Sequence, residues 1–419
     1  MEITSACNHS CRYCYNFWRH DKNNPLNTTM SIETIDRLID EFISNKIFNV
    51  VLTGGEPFIN YKVLLHGVRR LTEAGILVSC NSNLTMATKE QLRELHEAGL
   101  PHILTSIASF DPEQNDKIFN KKGSFIKVVK AIRQAVDLGI KISVNTVISQ
   151  QSTDQPGSIY KTGLLAHALG AANLFLTRVV PNTSCPQEIT EEFVLSREAY
   201  VPILDEGLQI KKETHMNIGS LIQYPVCFLR DVKKYEDFLG RGCPAGRKMV
   251  CINADGQAHA CFHESESYGN VLEIGLLGVW ENMKAWRDDS LIPEDCQKCK
   301  WFRWCEGGCR VYAERLNAPD FMCKGPDDLP DPVEEYKKFM YLVHASGSYR
   351  VRKGLRYRKE EGFWLVHIVG AWITPINEIV ARFLMDHEVT QKIFGLAEFP
   401  EDETSLAYLL SKKLVETVG

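Results

Sequence analysis

Cys7-Asn8-His9-Ser10-Cys11-Arg12-Tyr13-Cys14 is a C-x3-C-x2-C triplet close to the amino terminus, and the rest of the chain is arranged around it. Three thiolates this close can converge on one small soft ion or cluster, and three is one short of a closed tetrahedral zinc site. An iron-sulfur cluster held by three cysteines keeps one iron free for a ligand other than protein, whereas closed electron-transfer clusters take four.

The 419 residues exceed one ordinary domain, so two or three cores are expected. A hydrophobic share of 44% and a charged share of 24% describe a globular chain, and a net charge of -5 gives no sign of nucleic-acid binding. No apolar run is long enough to span a bilayer, and no secretory signal is seen. Fourteen cysteines in short-spaced groups favour metal or cluster ligation in a reducing cytosol over disulfides, so a cytoplasmic protein is expected.

Met1 to Ser5 reads as the strand feeding the cysteine loop, which leaves the chain starting at its first element, either short here or with its true start upstream. Ser31 opens a helix with Ile35, Leu38, Ile39 and Phe42 on one stripe. Ile47 to Thr53 reads as a buried strand ending in Gly54-Gly55-Glu56-Pro57, where two glycines allow unusual φ values and close approach to a ligand. Strands Ile76–Cys80, His102–Ile107, Lys141–Ile148 and Asn173–Val179 alternate with helices, among them one capped by Thr88-x-x-Gln91 and closed by Gly99. Others run over about 124–138 and 158–169. Six strand-helix units with apolar strands predict an α/β fold, a partial (β/α)6 TIM-type barrel whose ligands sit at the carboxyl ends of the strands.

The triplet, with Tyr13 directly before Cys14, resembles the C-x3-C-x-aromatic-C motif of the radical S-adenosylmethionine (radical SAM) family. The resemblance implies a [4Fe-4S] cluster on Cys7, Cys11 and Cys14 whose open iron binds the amino and carboxylate groups of SAM, with Tyr13 against its adenine. It also implies that Gly54, Gly55, Glu56 and Pro57 hold the methionine amino group. Ser106 stands where relatives carry a SAM-holding Ser, though their following Asp-Gly is replaced. Asn145 and Arg178 are further candidates for ribose or carboxylate contacts, and the position near Phe119 lacks the Arg often found in relatives. Cys80 reads as a buried strand residue.

A second cysteine set follows a mixed connector. Cys243, then Gly256 four residues short of Cys261, then Cys296-x2-Cys299-x5-Cys305-x3-Cys309 and Cys323 give seven regularly placed cysteines, too many for a single zinc ribbon. With Gly269-Asn270 and Gly307-Gly308, this pattern resembles the SPASM extension of radical SAM enzymes, which implies two auxiliary [4Fe-4S] clusters and three in all. Carried over, Cys296, Cys299, Cys305 and Cys323 hold the distal cluster; Cys243, Cys261 and Cys309 hold the proximal one. Its fourth ligand is Cys227, Cys251 or an open position. Cys185 has no assigned partner.

After Asp331 the cysteines stop. A helix carrying Tyr336, Phe339, Met340 and Leu342, two strands around a Glu-Gly turn within 354–370, and helices at about 377–385, 388–394 and 406–418 fit a small α+β winged-helix domain. This resembles the leader-peptide recognition element of ribosomal-peptide maturation systems, known from pyrroloquinoline-quinone biosynthesis, which binds peptide as an added strand. The basic residues Arg350, Arg352, Lys353, Arg356, Arg358 and Lys359 could meet an acidic leader. The expected organisation is 1–185 barrel, 186–236 connector, 237–330 SPASM and 331–419 peptide recognition.

The resemblance implies a peptide maturase. A 5'-deoxyadenosyl radical takes hydrogen from a residue of a ribosomal precursor peptide whose leader binds 345–419, giving a crosslink, excision or other change. Its electron donor is a flavodoxin or ferredoxin type, and neither nucleic acid nor membrane is a partner. An anaerobic sulfatase-maturing type is the enzyme alternative, disfavoured because Phe262 stands where such relatives carry the Asp base after Cys261. A noncatalytic cluster scaffold or redox sensor has no need of the GGEP loop.

Overall fold

Residues 1–20, 28–239, 242–316, 318–325, 329, 343, 346–360, 362–368 and 373–418 are described by the computed structural model. The chain divides into two compact units, 1–327 and 328–419.

The first unit is built on a parallel sheet of β1 (Asn49–Leu52), β2 (Leu77–Asn81), β3 (His102–Ser106), β4 (Lys141–Ile148), β5 (Asn173–Arg178) and β6 (Asn217–Gly219), hydrogen-bonded in that order. Helices α1 (Ile32–Ser44), α2 (Tyr61–Glu73), α3 (Lys89–Glu97), α4 (Pro112–Ile118), α5 (Ser124–Asp137), α6 (Ser158–Ala168), α7 (Gln187–Phe193) and α8 (Tyr200–Thr214) lie in the connections. This is the α/β partial barrel that the apolar strands call for. In α1 the Ser31 hydroxyl accepts the Thr34 N–H, and Ile35, Leu38, Ile39 and Phe42 are buried. In α3 both halves of the Thr88–Gln91 capping box form.

Two differences from the sequence reading bear on the site. Residues 1–5 pair only through isolated bridges, Glu2 with Thr53 and Thr4 with Thr29: the segment lies alongside the end of β1, where Met1 donates to the Val51 carbonyl and Ile3 to that of Thr53, but the overlap is too short to form a strand. The sixth strand, β6, falls in the stretch read as connector; three residues, Asn-Ile-Gly, are too short to show a period.

After the sheet come α9 (Val226–Leu229) and a hairpin of β7 (Cys251–Ile252) and β8 (Ala258–His259), turned at Gly256 with φ +89°. Helices α10 (Val271–Asn282), α11 (Glu294–Gln297), α12 (Phe302–Cys305) and α13 (Arg310–Leu316) follow; Cys296 lies in α11 and Cys305 in α12, while Cys243, Cys261, Cys299, Cys309 and Cys323 lie in the segments between elements.

In the second unit β9 (Ser348–Val351) lies between β13 (Phe394–Gly395) and β14 (Val415–Thr417). A second sheet has the order β10 (Arg356–Lys359), β11 (Trp364–His367), β12 (Thr374–Ile376). One helix, α14, runs from Glu378 to Thr390, and α15 spans Glu403–Ser411. The separate helix expected at 388–394 is therefore the last turn of α14 followed by β13, since Gln391 takes a left-handed φ of 52° and ends the helix without a glycine. The helix expected to reach Val418 stops at Ser411, and Lys413, with φ 58°, turns the chain into β14. The expected helix with Tyr336, Phe339, Met340 and Leu342 lies outside the described residues. Among the described residues no helix is long and apolar enough to cross a membrane.

Candidate active site and cysteine constellations

The cysteine loop leaves the sheet where residues 4–6 press against the turn after β1. The Gly55 N–H donates to the Thr4 carbonyl at 2.7 Å and the Glu56 N–H to that of Ala6 at 2.8 Å. A Cβ on Gly54 would lie 2.4 Å from the Thr4 oxygen. The glycines thus permit close approach of the chain's own backbone at residues 4–6, and neither has the positive φ that sequence reasoning allowed them.

Glu56 is fully buried and caps the short turn Pro57–Asn60. Its carboxylate accepts from Ser82 Oγ at 2.7 Å, Phe58 N–H at 3.1 Å and Asn83 N–H at 2.8 Å. Burial pushes its pKa up to about 7, against the pull of these donors. From there a polar chain reaches the cysteine loop: Asn83 Nδ2 donates to Asn8 Oδ1 at 2.8 Å, and Asn8 Nδ2 to Thr85 Oγ1 at 2.9 Å. Thr85 Oγ1 also lies 3.1 Å from His9 Nε2. Sequence reading missed Asn8, Ser82, Asn83 and Thr85; the polar run after β2 was the signal for the last three, and Asn8 had only its place within the cysteine triplet.

Cys7, Cys11 and Cys14 are half-buried and free. Burial pushes each thiol up, that of Cys7 to about 11, and Cys11 is raised further by the nearby Cys14 and Cys7. Tyr13 packs with Cys11 against Ala108, Ile118 and Phe119, and its ring lies 5.2 Å from that of Phe193. Phe119 covers this corner, its carbonyl accepting from Cys11 Sγ at 3.7 Å. Among the described residues the buried Tyr13 hydroxyl has no hydrogen-bond partner, and Cys11 and Cys14 lie near the ring. Cys185 and Cys14 line one narrow cleft with Tyr13 and Phe193.

Ser106 ends β3 and pairs with Asn145, which lies inside β4 rather than at its end and accepts from Thr177 Oγ1 at 2.6 Å. Arg178, a candidate for ribose or carboxylate contacts, ends β5. Its guanidinium is buried, ion-paired with Asp320 and donating to the Gln223 carbonyl at 3.3 Å. Asp320 in turn accepts the Cys309 N–H at 2.6 Å, so this arginine ties the sheet to the second cysteine set. Burial opposes its charge, but Asp320 and Cys309 outweigh that cost.

The later cysteines form two groups. Cys261 is raised by burial and by the nearby Cys251, Cys243 and Cys309. The Cys323 thiol shares hydrogen bonds with Cys227 and Cys296, and Cys299 and Cys305 both feel Cys227 and Cys296. Cys227, weighed as a proximal ligand, therefore stands with the distal group, while Cys251 is the neighbour of the proximal one. Among the described residues no three His, Cys, Asp or Glu side chains close to single-ion geometry. Both groups offer sulfur donors, the donor set that an iron-sulfur cage takes.

Two family profiles match the chain: the radical SAM superfamily over residues 1–161, and SPASM, an iron-sulfur cluster-binding domain, over 243–300. This is a radical SAM enzyme with a SPASM domain. An AdoMet-dependent heme synthase of Oleidesulfovibrio alaskensis is 25% identical over 328 residues, 74% of this chain and 81% of that one. A PqqA peptide cyclase of Methylobacterium nodulans is 23% identical over 368 residues, 85% of this chain and 92% of that one. Streptococcus suis SuiB, solved bound to its precursor peptide SuiA, aligns with a TM-score of 0.61 at 17% identity, over 77% of this chain and 74% of that chain. In this radical SAM enzyme the matched first domain contains the triplet, the GGEP turn and the Asn8–Thr85 network, and the matched SPASM segment contains Cys243, Cys251, Cys261, Cys296 and Cys299.

Proposed function

We propose that this enzyme modifies a ribosomally made precursor peptide by hydrogen abstraction, with a [4Fe-4S] cluster on Cys7, Cys11 and Cys14 and SAM at its open iron. The observation that carries the reading is the triplet itself: three mutually close thiols at the carboxyl end of the sheet, their loop tied to Glu56 through Asn83 and Asn8, with a buried Tyr13 hydroxyl that has no partner among the described residues. When bound and reduced, cluster and SAM together supply a 5'-deoxyadenosyl radical. Tyr13 and Phe119 wall the site, and the Glu56 network fixes the loop so that substrate and SAM meet in one orientation. Cys243, Cys261 and Cys309 would hold a proximal auxiliary cluster and Cys296, Cys299, Cys305 and Cys323 a distal one, groups that would supply one-electron acceptors near the substrate, with a flavodoxin- or ferredoxin-type protein as the external donor. A cytoplasmic setting suits these free thiols.

The peptide reading draws support from the peptide cyclase relatives and from the tail. In the tail, Glu360 N–H donates to the Phe363 carbonyl, so by the antiparallel alternation Arg358 and Arg356 face β11 with their amides and Tyr357 and Lys359 face the other edge. Among the described residues nothing pairs with that edge, and a leader added there as a strand would find two outward amides. The basic cluster contributes less than its sequence suggests: Arg350 pairs with Glu416, Arg358 with Glu360 and Lys359 with Glu378. The sulfatase-maturing alternative gains nothing at Phe262, which is buried where an Asp base would be needed. Anaerobic reconstitution with SAM and dithionite tests the enzyme reading by 5'-deoxyadenosine release. Co-expression with the small peptide encoded beside the gene tests the substrate by mass: a loss of about two units indicates oxidative crosslinking, and an unchanged mass counts against it.

A further inference from the structure

The distal group holds five thiols, whereas a four-iron cage has four corners to fill with cysteine. The extra one, Cys227, is not a stray buried cysteine. It is the one half-exposed residue in a buried run from Gln223 to Leu229, and that run is fastened to the group at several points. The Gln223 side-chain amide donates to the Cys305 carbonyl, and the Val226 N–H donates to the Cys305 sulfur. The Cys227 thiol hydrogen-bonds Cys323, and its sulfur accepts the Lys324 N–H at 3.3 Å. Cys299 stands differently. It sits among the exposed Gln297, Lys298 and Lys300, and the hydrogen bond to its sulfur is a local one from Trp301 N–H at 3.4 Å. A small hydrophobic side chain would satisfy a merely structural position at Cys227, yet it would leave the Lys324 amide without its acceptor.

We propose that Cys227 is a ligand of the distal cluster, exchanging with Cys299 at a single iron. The exchange balances: the bond from iron to the Cys299 sulfur breaks as that to Cys227 forms, the Cys227 thiol proton passes to the released Cys299 sulfur, and no electron moves. Its consequence is a cluster that survives loss of its outermost ligand. The inference rests on the reading that the distal group holds a cluster, and the two can fail separately.

The test uses the full chain, reconstituted without oxygen, as wild type, C227A, C299A and the double variant, read by iron content and by the paramagnetic resonance of the reduced protein. Both single variants are expected to keep the distal signal, shifted from wild type. The double variant is expected to lose that signal and about four iron atoms per chain while keeping the signal that responds to SAM. Loss of the distal cluster in either single variant, or its retention in the double one, overturns the exchange. Should the double variant not fold, the distal signal of C227A decides: a shift supports the proposal, identity with wild type overturns it. Absence of any distal signal in wild type instead removes the cluster reading on which the proposal stands.

Discussion

At Gly55 a Cβ would sit 2.2 Å from the Ala6 carbonyl oxygen and 2.5 Å from that of Ser5, and both obstacles are backbone that cannot swing aside. Gly55→Ala is therefore expected to cost about 2 kcal/mol or more, seen as a lower urea midpoint, and to lower iron retention at the triplet. An unchanged midpoint would contradict the contact. Glu56 makes a pH argument at the same scale. Burial raises its folded pKa from 4.5 to about 7, so the native chain holds that proton more tightly than the unfolded one. Its contribution is complete below the unfolded value and is lost as pH rises through the folded one. Urea unfolding should show stability falling by on the order of 3 kcal/mol across that window, and Glu56→Gln should flatten the fall. The GGEP turn was legible as a motif, but its partners were not: Asn8 and Asn83 lie 75 positions apart in sequence.

Local signals reported the elements well where the elements are local. Thr88 and Gln91 announce their helix because both halves of the cap lie within one turn. They failed where pairing is distant: β13 and β14 are two and three residues long and exist because β9 pairs with them. The open edge of β10 belongs to this scale. Lys359→Pro removes an amide that faces away from β11, leaving the ladder intact. Titration with the cognate leader peptide should then show affinity about tenfold weaker, the worth of one main-chain hydrogen bond, with the far-ultraviolet circular dichroism unchanged. Unaltered affinity would move the peptide elsewhere.

Across the first unit, cysteine spacing foretold both the three-thiol loop and the crowded second set, because a soft-metal site needs many sulfurs and short spacings reveal them. It could not foretell which set Cys227 joins, or that Arg178 is committed to Asp320, 142 positions away. That pair joins sheet to cysteines with both side chains almost wholly buried. Asp320→Asn should cost about 3–5 kcal/mol in chemical denaturation by stranding the guanidinium, and Arg178→Met with Asp320→Leu should recover much of it. If the single variant is as stable as wild type, the pair does not hold the sheet to the second set. The central claim is a cluster left open at the triplet for SAM. Paramagnetic resonance of the dithionite-reduced protein, with and without SAM, tests it directly. The account expects SAM to shift the signal of one cluster and expects that response to vanish in Cys11→Ala; a spectrum that SAM leaves unchanged would contradict it.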